Sequence, residues 1–401
     1  MNVFMKMWCR TYQFGFKIAM YFLPWRKAKT LVGENSLLLL PELIKSEGYD
    51  KVLIVTDKTL VKLGLINPLL EQLKKEQVEF VIYDETVPNP TIDNIMDAYK
   101  LYQEGNCQGV IAFGGGSPMD CAKGVAAKAT RPKRDIAKME GLLKVGKKTP
   151  PIFAIPTTAG TGSEVTLAAV ITDSKKHHKL VINDPMLIPE YVVLDPVLTI
   201  GLPKHITATT GLDALTHAVE AFIGNTRTKD TKAQAIEATK LIFENIKKVY
   251  DNGEDIKARE NMLIASNLAG KAFTRSYVGY VHSIAHTLGG QYKIPHGLAN
   301  AIILPHILRW YGASAHKKLA VLGRAVGLSG ENDEVISNKF IEEIEKLKKY
   351  CNIPDKFENV IKDEDILQMA EYSLKEANPL YPVPKLMGKN EMIDMYKHLK
   401  A

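Results

Sequence analysis

The sequence predicts an α/β N-terminal half with a mainly parallel, Rossmann-like sheet, followed by an all-α C-terminal half. Three observations carry this. Short β-branched runs alternate with helical stretches as far as about residue 202. One strand-like run closes on Gly114-Gly115-Gly116-Ser117-Pro118 and opens a helix. Beyond Leu202-Pro203, apolar residues recur at spacings of three and four, and convincing strands are absent. The chain has 401 residues, more than the ~250–300 at which a single core stops growing, which suits two domains. We expect them at 1–202, with an extra basic segment over 1–27, and at 203–401.

The elements follow in order. Lys51–Thr56 (KVLIVT) reads as a strand and Asp57–Leu63 as a helix. Val78–Tyr83 is a second strand; the turn Pro88-Asn89-Pro90 then leads to a helix from Thr91. Gly109–Phe113 is a third strand, and Ser117 to about Lys128 is a helix. Pro151–Pro156, Ala168–Thr172, Leu180–Ile182 and Val192–Leu194 are shorter strand candidates. In the second half Leu212, Leu215, Val219 and Phe222 mark one helical face. Ala235–Val249, Ile256–Ala272, Glu342–Tyr350 and Asp363–Lys375 continue the helical pattern.

Bulk composition narrows the class. Hydrophobic residues make up 46% and charged residues 24%, as in an ordinary globular protein. The net charge of +7 comes without a helix-turn-helix, zinc-finger spacing or long basic tract, so no nucleic-acid partner is expected. Four scattered cysteines, Cys9, Cys107, Cys121 and Cys351, make no disulfide framework and suit a reducing cytoplasm. Residues 1–33 hold six basic residues and no acid, mixed with Met, Phe and Trp. The apolar stretch Ile18–Trp25 is too short to span a bilayer. A stretch of this kind can make peripheral contact with an anionic membrane. The reading preferred here is a leader strand or helix packed on the body or on a second subunit.

Two loops in the first half suit a nucleotide. At Gly114–Pro118, glycines let the backbone approach a phosphate, and the helix start offers N–H groups; Ser117 can cap that helix or bond a phosphate oxygen. Pro156–Val165 (PTTAGTGSEV) adds a second loop dense in hydroxyls and glycines, without the G-K-[ST] ending of a Walker loop. Asp57, directly after a strand, can accept hydrogen bonds from a ribose and would repel the 2′-phosphate of NADP; it can equally be a helix N-cap. In the second half, Asp213 and His217 stand at i, i+4, as do His282 and His286, and His296 follows. One carboxylate with several imidazoles suits a borderline divalent ion such as iron or zinc, but spacing does not say which of the five bind it. His177, His178, His205, His306, His316 and His398 read as structural or surface residues.

Four pieces of sequence carry a resemblance: GGGSPMD (Gly114–Asp120), PTTAGTGSEVT (Pro156–Thr166), TGLDALTHAVEA (Thr210–Ala221) and HSIAHTLGGQYKIPHGLANAIILP (His282–Pro305). Over roughly residues 28–400 the chain resembles the iron-containing (group III) alcohol dehydrogenases. Their dehydroquinate synthase-like superfamily also includes glycerol dehydrogenase. The resemblance implies Fe(2+), with Zn(2+) as the alternative, on Asp213, His217, His282 and His296. It moves His286 off the metal to a place beside the nicotinamide, where it is the candidate proton relay. It implies pyrophosphate contacts at Gly116 and Ser117, with Gly115 and Asp120 in the same cofactor motif. Thr157, Thr158, Thr166, Lys179 and Leu198 match further cofactor contacts, and Asn89 matches a cofactor-loop residue. Asp57 matches the acid that favours NAD over NADP, and at position 168, where some members carry Asn or Phe, this chain has Ala168.

The expected activity is hydride transfer between a small alcohol or diol and its aldehyde, by a cytoplasmic homodimer or larger assembly. The rivals are a zinc polyol dehydrogenase, a dehydroquinate synthase-like lyase, and a non-catalytic, membrane-associated binding protein. The lyase needs a basic pocket, for which the helical half offers only scattered residues such as Lys271, Arg275 and Lys293.

Overall fold

The computed structural model describes residues 1–174 and 178–400; His177 and the side chain of His178 lie outside the described residues. Among the described residues nine strands are present: β1 Lys29–Val32, β2 Lys51–Val55, β3 Glu79–Tyr83, β4 Gly109–Gly114, β5 Gly141–Leu142, β6 Ile152–Pro156, β7 Ala168–Asp173, β8 His178–Asn183 and β9 Tyr191–Leu194. Six of them form one sheet in the order β1-β9-β6-β4-β2-β3, with every pairing parallel.

The central strands β4, β6 and β9 are buried at every residue, as strands covered on both faces must be. This explains their legibility as unbroken apolar runs. Leu40, Ile44, Ile54, Leu69, Ile111 and Phe153 share the core around this sheet. Edge strand β1 is only half-buried and four residues long, so it carried no periodic signal.

The candidates Ala168–Thr172 and Leu180–Ile182 are strands, but they stay out of the parallel sheet. β7 and β8 pair antiparallel, and β8 pairs with the short β5 in a second, three-stranded sheet. Only residues 174–177 separate β7 from β8. A parallel crossover needs about a dozen residues, so a hairpin is the available connection.

Among the described residues no strand follows β9. The helices there begin with Lys204–Ile223, Lys229–Asp251 and Ile256–Ser276, continue through Tyr280–Tyr292 and His296–Tyr311, and end with Lys389–Lys400. From Gly211 to Ile223 the first of these is buried all round, the mark of a core helix.

The chain divides into two compact units. One comprises Pro24–Gly201 with Glu254–Leu263; the other comprises Met1–Leu23, Leu202–Gly253 and Ile264–Ala401. The leading segment is a helix, Val3–Tyr21, and it groups with the helical unit although it precedes the α/β unit in sequence. Side-chain bonds hold it there. Arg10 donates to the carbonyls of Val383 and Pro384, and Gln13 donates to those of Pro379 and Tyr381. All four cysteines are free and buried.

Candidate metal centre and nucleotide loops

Within the helical unit, Asp213 and His217 project from one face of the buried helix Lys204–Ile223. His282 sits in the first turn of Tyr280–Tyr292, and His296 opens His296–Tyr311. One potential ligand atom from each of these four lies within 4.8 Å of the others. Asp213, His217 and His282 are almost fully buried, while the side chain of His296 is 38% exposed. Gly297 makes the approach possible: a Cβ there would lie 2.6 Å from the Thr209 carbonyl oxygen on the facing helix.

The donor set fits a cation. The Asn300 Nδ2 lies 2.6 Å from Asp213 Oδ1, 3.0 Å from His296 Nε2 and 3.2 Å from His282 Nε2. One electropositive amide group thus meets three acceptors at the point on which their lone pairs converge. A carboxylate with imidazole nitrogens around such a point suits Fe(II) or Zn(II).

Glu220, one turn beyond His217, supports the cluster. Its carboxylate accepts from the backbone N–H of Gly279 and of Val281, each at 2.9 Å, and meets His282 Nδ1 at 2.6 Å. Burial pushes the Glu220 carboxyl up to about 7, against the pull of these donors, and pushes the His282 imidazole well below its ordinary range. All of Glu220's partners are donors, so the carboxylate is the form this arrangement accommodates. It fixes the proton of neutral His282 on Nδ1 and leaves Nε2 as an acceptor facing the cluster.

His286, one turn after His282, turns elsewhere. Its Nδ1 meets Glu376 Oε1 at 2.7 Å, and Tyr381 donates to the same oxygen at 2.6 Å. Burial raises the Glu376 carboxyl, but the charge and hydrogen bond of His286 and the bond from Tyr381 outweigh it, and the net direction is down. Of the remaining histidines, His306 contacts the Asp355 carbonyl and His398, away from the cluster.

The nucleotide candidates gather in the α/β unit. At the end of β4, Gly114 has φ +147°, and a Cβ there would meet Pro118 at 2.6 Å, so glycine is required for this turn. The helix Gly116–Thr130 follows with Gly115 as N-cap. Ser117 is therefore not the cap; its hydroxyl accepts from the Asn89 N–H. Asn89, at φ +58°, accepts in turn from the Lys179 ammonium at 2.8 Å. The second loop lies alongside: Thr157 N–H donates to the Gly114 carbonyl, and Thr158 and Thr161 flank Gly115 and Gly116. Asp57 is the N-cap of Lys58–Lys62, accepting from Thr59 and Leu60 N–H, and remains half-exposed. Leu198 belongs to the core around the sheet.

Four residues of these sites were not singled out in the sequence. Glu220 and Asn300 follow His217 and His296 by one turn, a spacing that could have flagged them. Lys123, one turn after Asp120, is fully buried and donates to Ser163 Oγ, Thr166 Oγ1 and the Ala168 carbonyl. Glu376 lies 90 residues from its partner His286, and nothing local announces it.

Glu220→Gln presents an amide to three donors. Metal affinity should fall by about 10–100-fold, measured by chelator competition with elemental analysis of the dialysed protein. Unchanged affinity would remove Glu220 from the support of the centre.

Comparison with known proteins places the chain in a family. Residues 27–196 match the model for iron-containing alcohol dehydrogenase, and residues 207–400 match its C-terminal counterpart. The chain is 37% identical to a 1,3-propanediol dehydrogenase of Citrobacter freundii, over 91% of this chain and 95% of that protein. It is 36% identical to a lactaldehyde reductase of Escherichia coli K12, over 86% and 91% respectively. A solved structure of 1,3-propanediol oxidoreductase superposes with a TM-score of 0.91 at 35% identity, covering 94% of this chain and all of that one. A sulfoacetaldehyde reductase from Bifidobacterium kashiwanohense, solved in complex with NAD+, gives a TM-score of 0.84 at 27% identity, covering 94% and 98%. The chain therefore belongs to the iron-containing alcohol dehydrogenase family.

Proposed function

We propose that this enzyme interconverts small primary alcohols or diols and their aldehydes, using NAD(H) and a divalent iron held by Asp213, His217, His282 and His296. The observation that carries this reading is the convergence of those four donors within 4.8 Å, braced by Glu220. Relatives named for 1,3-propanediol, lactaldehyde and methanol support a small substrate. The same donors suit zinc, so the choice of iron rests on the family.

A metal at this centre supplies Lewis acidity to the substrate oxygen. A bound nicotinamide would supply or accept the hydride. The chain's own residues do the rest. Glu220 keeps His282 neutral and aimed. The N–H groups opening the helix Gly116–Thr130, with the loop from Thr157 to Thr166, form the surface offered to a pyrophosphate. Ser117, Asn89 and Lys179 form one hydrogen-bonded cluster beside it. Gly115 and Asp120 complete that motif, with Thr158 on the facing loop. Thr166 and Leu198 act through the shape of the loop and core they pack in. His286 exchanges the hydroxyl proton at Nε2, its Nδ1 held by Glu376.

Four free, buried cysteines suit a cytoplasmic location. Exposed Val32, Leu38 and Leu39 beside edge strand β1 suit a contact between subunits of a homodimer or larger assembly.

The direct test is a panel of short alcohols and aldehydes with NADH and NADPH, on iron-loaded protein kept from air. His217→Ala should lose bound metal and turnover together; an active, metal-free variant would sink the assignment. Asp57→Gly removes the acid proposed to repel a 2′-phosphate. It should raise kcat/KM with NADPH by about tenfold or more, since like charges brought together cost several kcal/mol. A native enzyme that already prefers NADPH defeats that part of the reading. Glu376→Gln replaces the carboxylate that holds His286 Nδ1. We expect kcat to fall by about tenfold or more, with KM little changed. A kcat that does not fall argues against the relay.

A further inference from the structure

The leading helix Val3–Tyr21 precedes residue 27, where the family match begins, yet it is bonded to the segment that serves the candidate proton relay. That segment, Pro379–Pro384, follows the helix Asp363–Ala377, whose last turn carries Glu376. Its sequence, Pro-Leu-Tyr-Pro-Val-Pro, has prolines at 379, 382 and 384, which have no N–H to give. It forms no regular ladder, so its carbonyls depend on donors from elsewhere. The Asn225 N–H serves the Pro382 carbonyl, and the leading helix serves its neighbours. Gln13 Nε2 donates to the Pro379 carbonyl at 3.0 Å and to the Tyr381 carbonyl at 2.8 Å. Arg10 donates to the Val383 and Pro384 carbonyls at 2.8 and 3.0 Å, and to Gln13 Oε1 at 2.8 Å. Gln13 is 3% exposed, and both its amide hydrogens and its oxygen are engaged.

The residue fastened in this way is Tyr381. It is buried, and its hydroxyl donates at 2.6 Å to Glu376 Oε1, the oxygen that meets His286 Nδ1 at 2.7 Å. Burial beside Glu376 raises the Tyr381 phenol well above its ordinary value, so it remains a donor. A second contact from the same helix leads to the same residue. Phe16 meets Tyr277 edge-on at 5.2 Å, and the Tyr277 ring lies 6.3 Å from that of Tyr381. Tyr277 has φ +62°, a conformation that a bulky residue keeps only when its surroundings hold it. Phe16 and Tyr381 are part of those surroundings.

We propose that Gln13 is a positioning residue for the reaction. By fixing the Tyr381 backbone, with Phe16 bracing Tyr277, the leading helix keeps the Tyr381 hydroxyl on Glu376, and Glu376 keeps the His286 ring in place. The inference rests on the relay role of His286 proposed above.

The test uses the full chain, iron-loaded, with Gln13→Met, Tyr381→Phe, the double variant of these two, and Glu376→Gln. Methionine keeps the length and apolar bulk of Gln13 and removes its hydrogen bonds. Elemental analysis and NADH fluorescence titration report whether the metal centre and the nucleotide loops are intact. Gln13→Met should lower kcat by about threefold or more, with KM, bound metal and NADH affinity unchanged, because a small misplacement at a distance depletes the reactive geometry. Tyr381→Phe should lower kcat at least as much. The double variant should fall no further than Tyr381→Phe alone, since the route from Gln13 to Glu376 is already cut. Losses that multiply in the double variant overturn the proposal. So does a Gln13→Met variant that loses metal or NADH affinity, which would make the helix a general support of the fold. An unchanged kcat in Gln13→Met, where Glu376→Gln lowers it, defeats this inference alone. If Glu376→Gln itself leaves kcat unchanged, the relay reading fails and this inference falls with it.

Discussion

One buried carboxylate, Glu220, organises the helical unit's chemistry. It leaves the same helix face as Asp213 and His217, and it receives the first free N–H groups of the helix that carries His282. Backbone capping and imidazole orientation are therefore a single interaction. A neutral acceptor at this position would leave donors unanswered in a dry site. An unpaired carboxylate there would be worse, since a buried polar group stripped of its partners costs its full desolvation penalty. The helix pair must form with Glu220 in place, and three of the four candidate ligands come into register as a consequence. His296 joins through the close approach that Gly297 permits.

The α/β unit solves a comparable problem with the opposite charge. Lys123 is fully buried, and its three ammonium hydrogens have three acceptors: Ser163, Thr166 and the Ala168 carbonyl. Burial lowers it to about 8, and the charges of Asp120 and Glu164 hold it up. Ser163 in turn donates to Asp120 at 3.1 Å. The helix after the glycine turn and the hydroxyl-rich loop are thus fastened to each other from below. Backbone N–H groups along the top can then face an anion without having to fold the loop themselves.

The sequence made the central strands and the metal-bearing helices legible because both obey strong periodic rules. β4, β6 and β9 are covered on both faces and read as apolar runs, and the one-turn pairs Asp213/His217 and His282/His286 are visible by counting. Strand β1 was missed because an edge strand of four half-buried residues obeys neither rule. The hairpin β7–β8 was visible as strands but not as a separate sheet, since pairing partners are a tertiary fact. The same holds at the site. Nothing near His286 announces Glu376, whereas Glu220 lies inside the motif Thr210–Ala221, one turn after His217. The leading helix was legible as basic and amphipathic, but which face the body would cover depended on the carbonyls of Val383, Pro384, Pro379 and Tyr381.

In the proposed mechanism, environment and not residue type divides labour between His282 and His286. They stand one turn apart on one helix, and each presents Nδ1 to a carboxylate. Glu220 is buried and fully committed to donors, so His282 keeps a fixed tautomer and a permanent lone pair on the other nitrogen. That is what a metal ligand requires, and it is unsuited to carrying a proton. The side chains of His286 and Glu376 are 29% and 33% exposed, and Tyr381 shares the carboxylate oxygen. Solvent therefore reaches that imidazole, while the carboxylate holds its Nδ1. Exchanging the two surroundings would exchange the two roles, although the sequence would still read His-x-x-x-His.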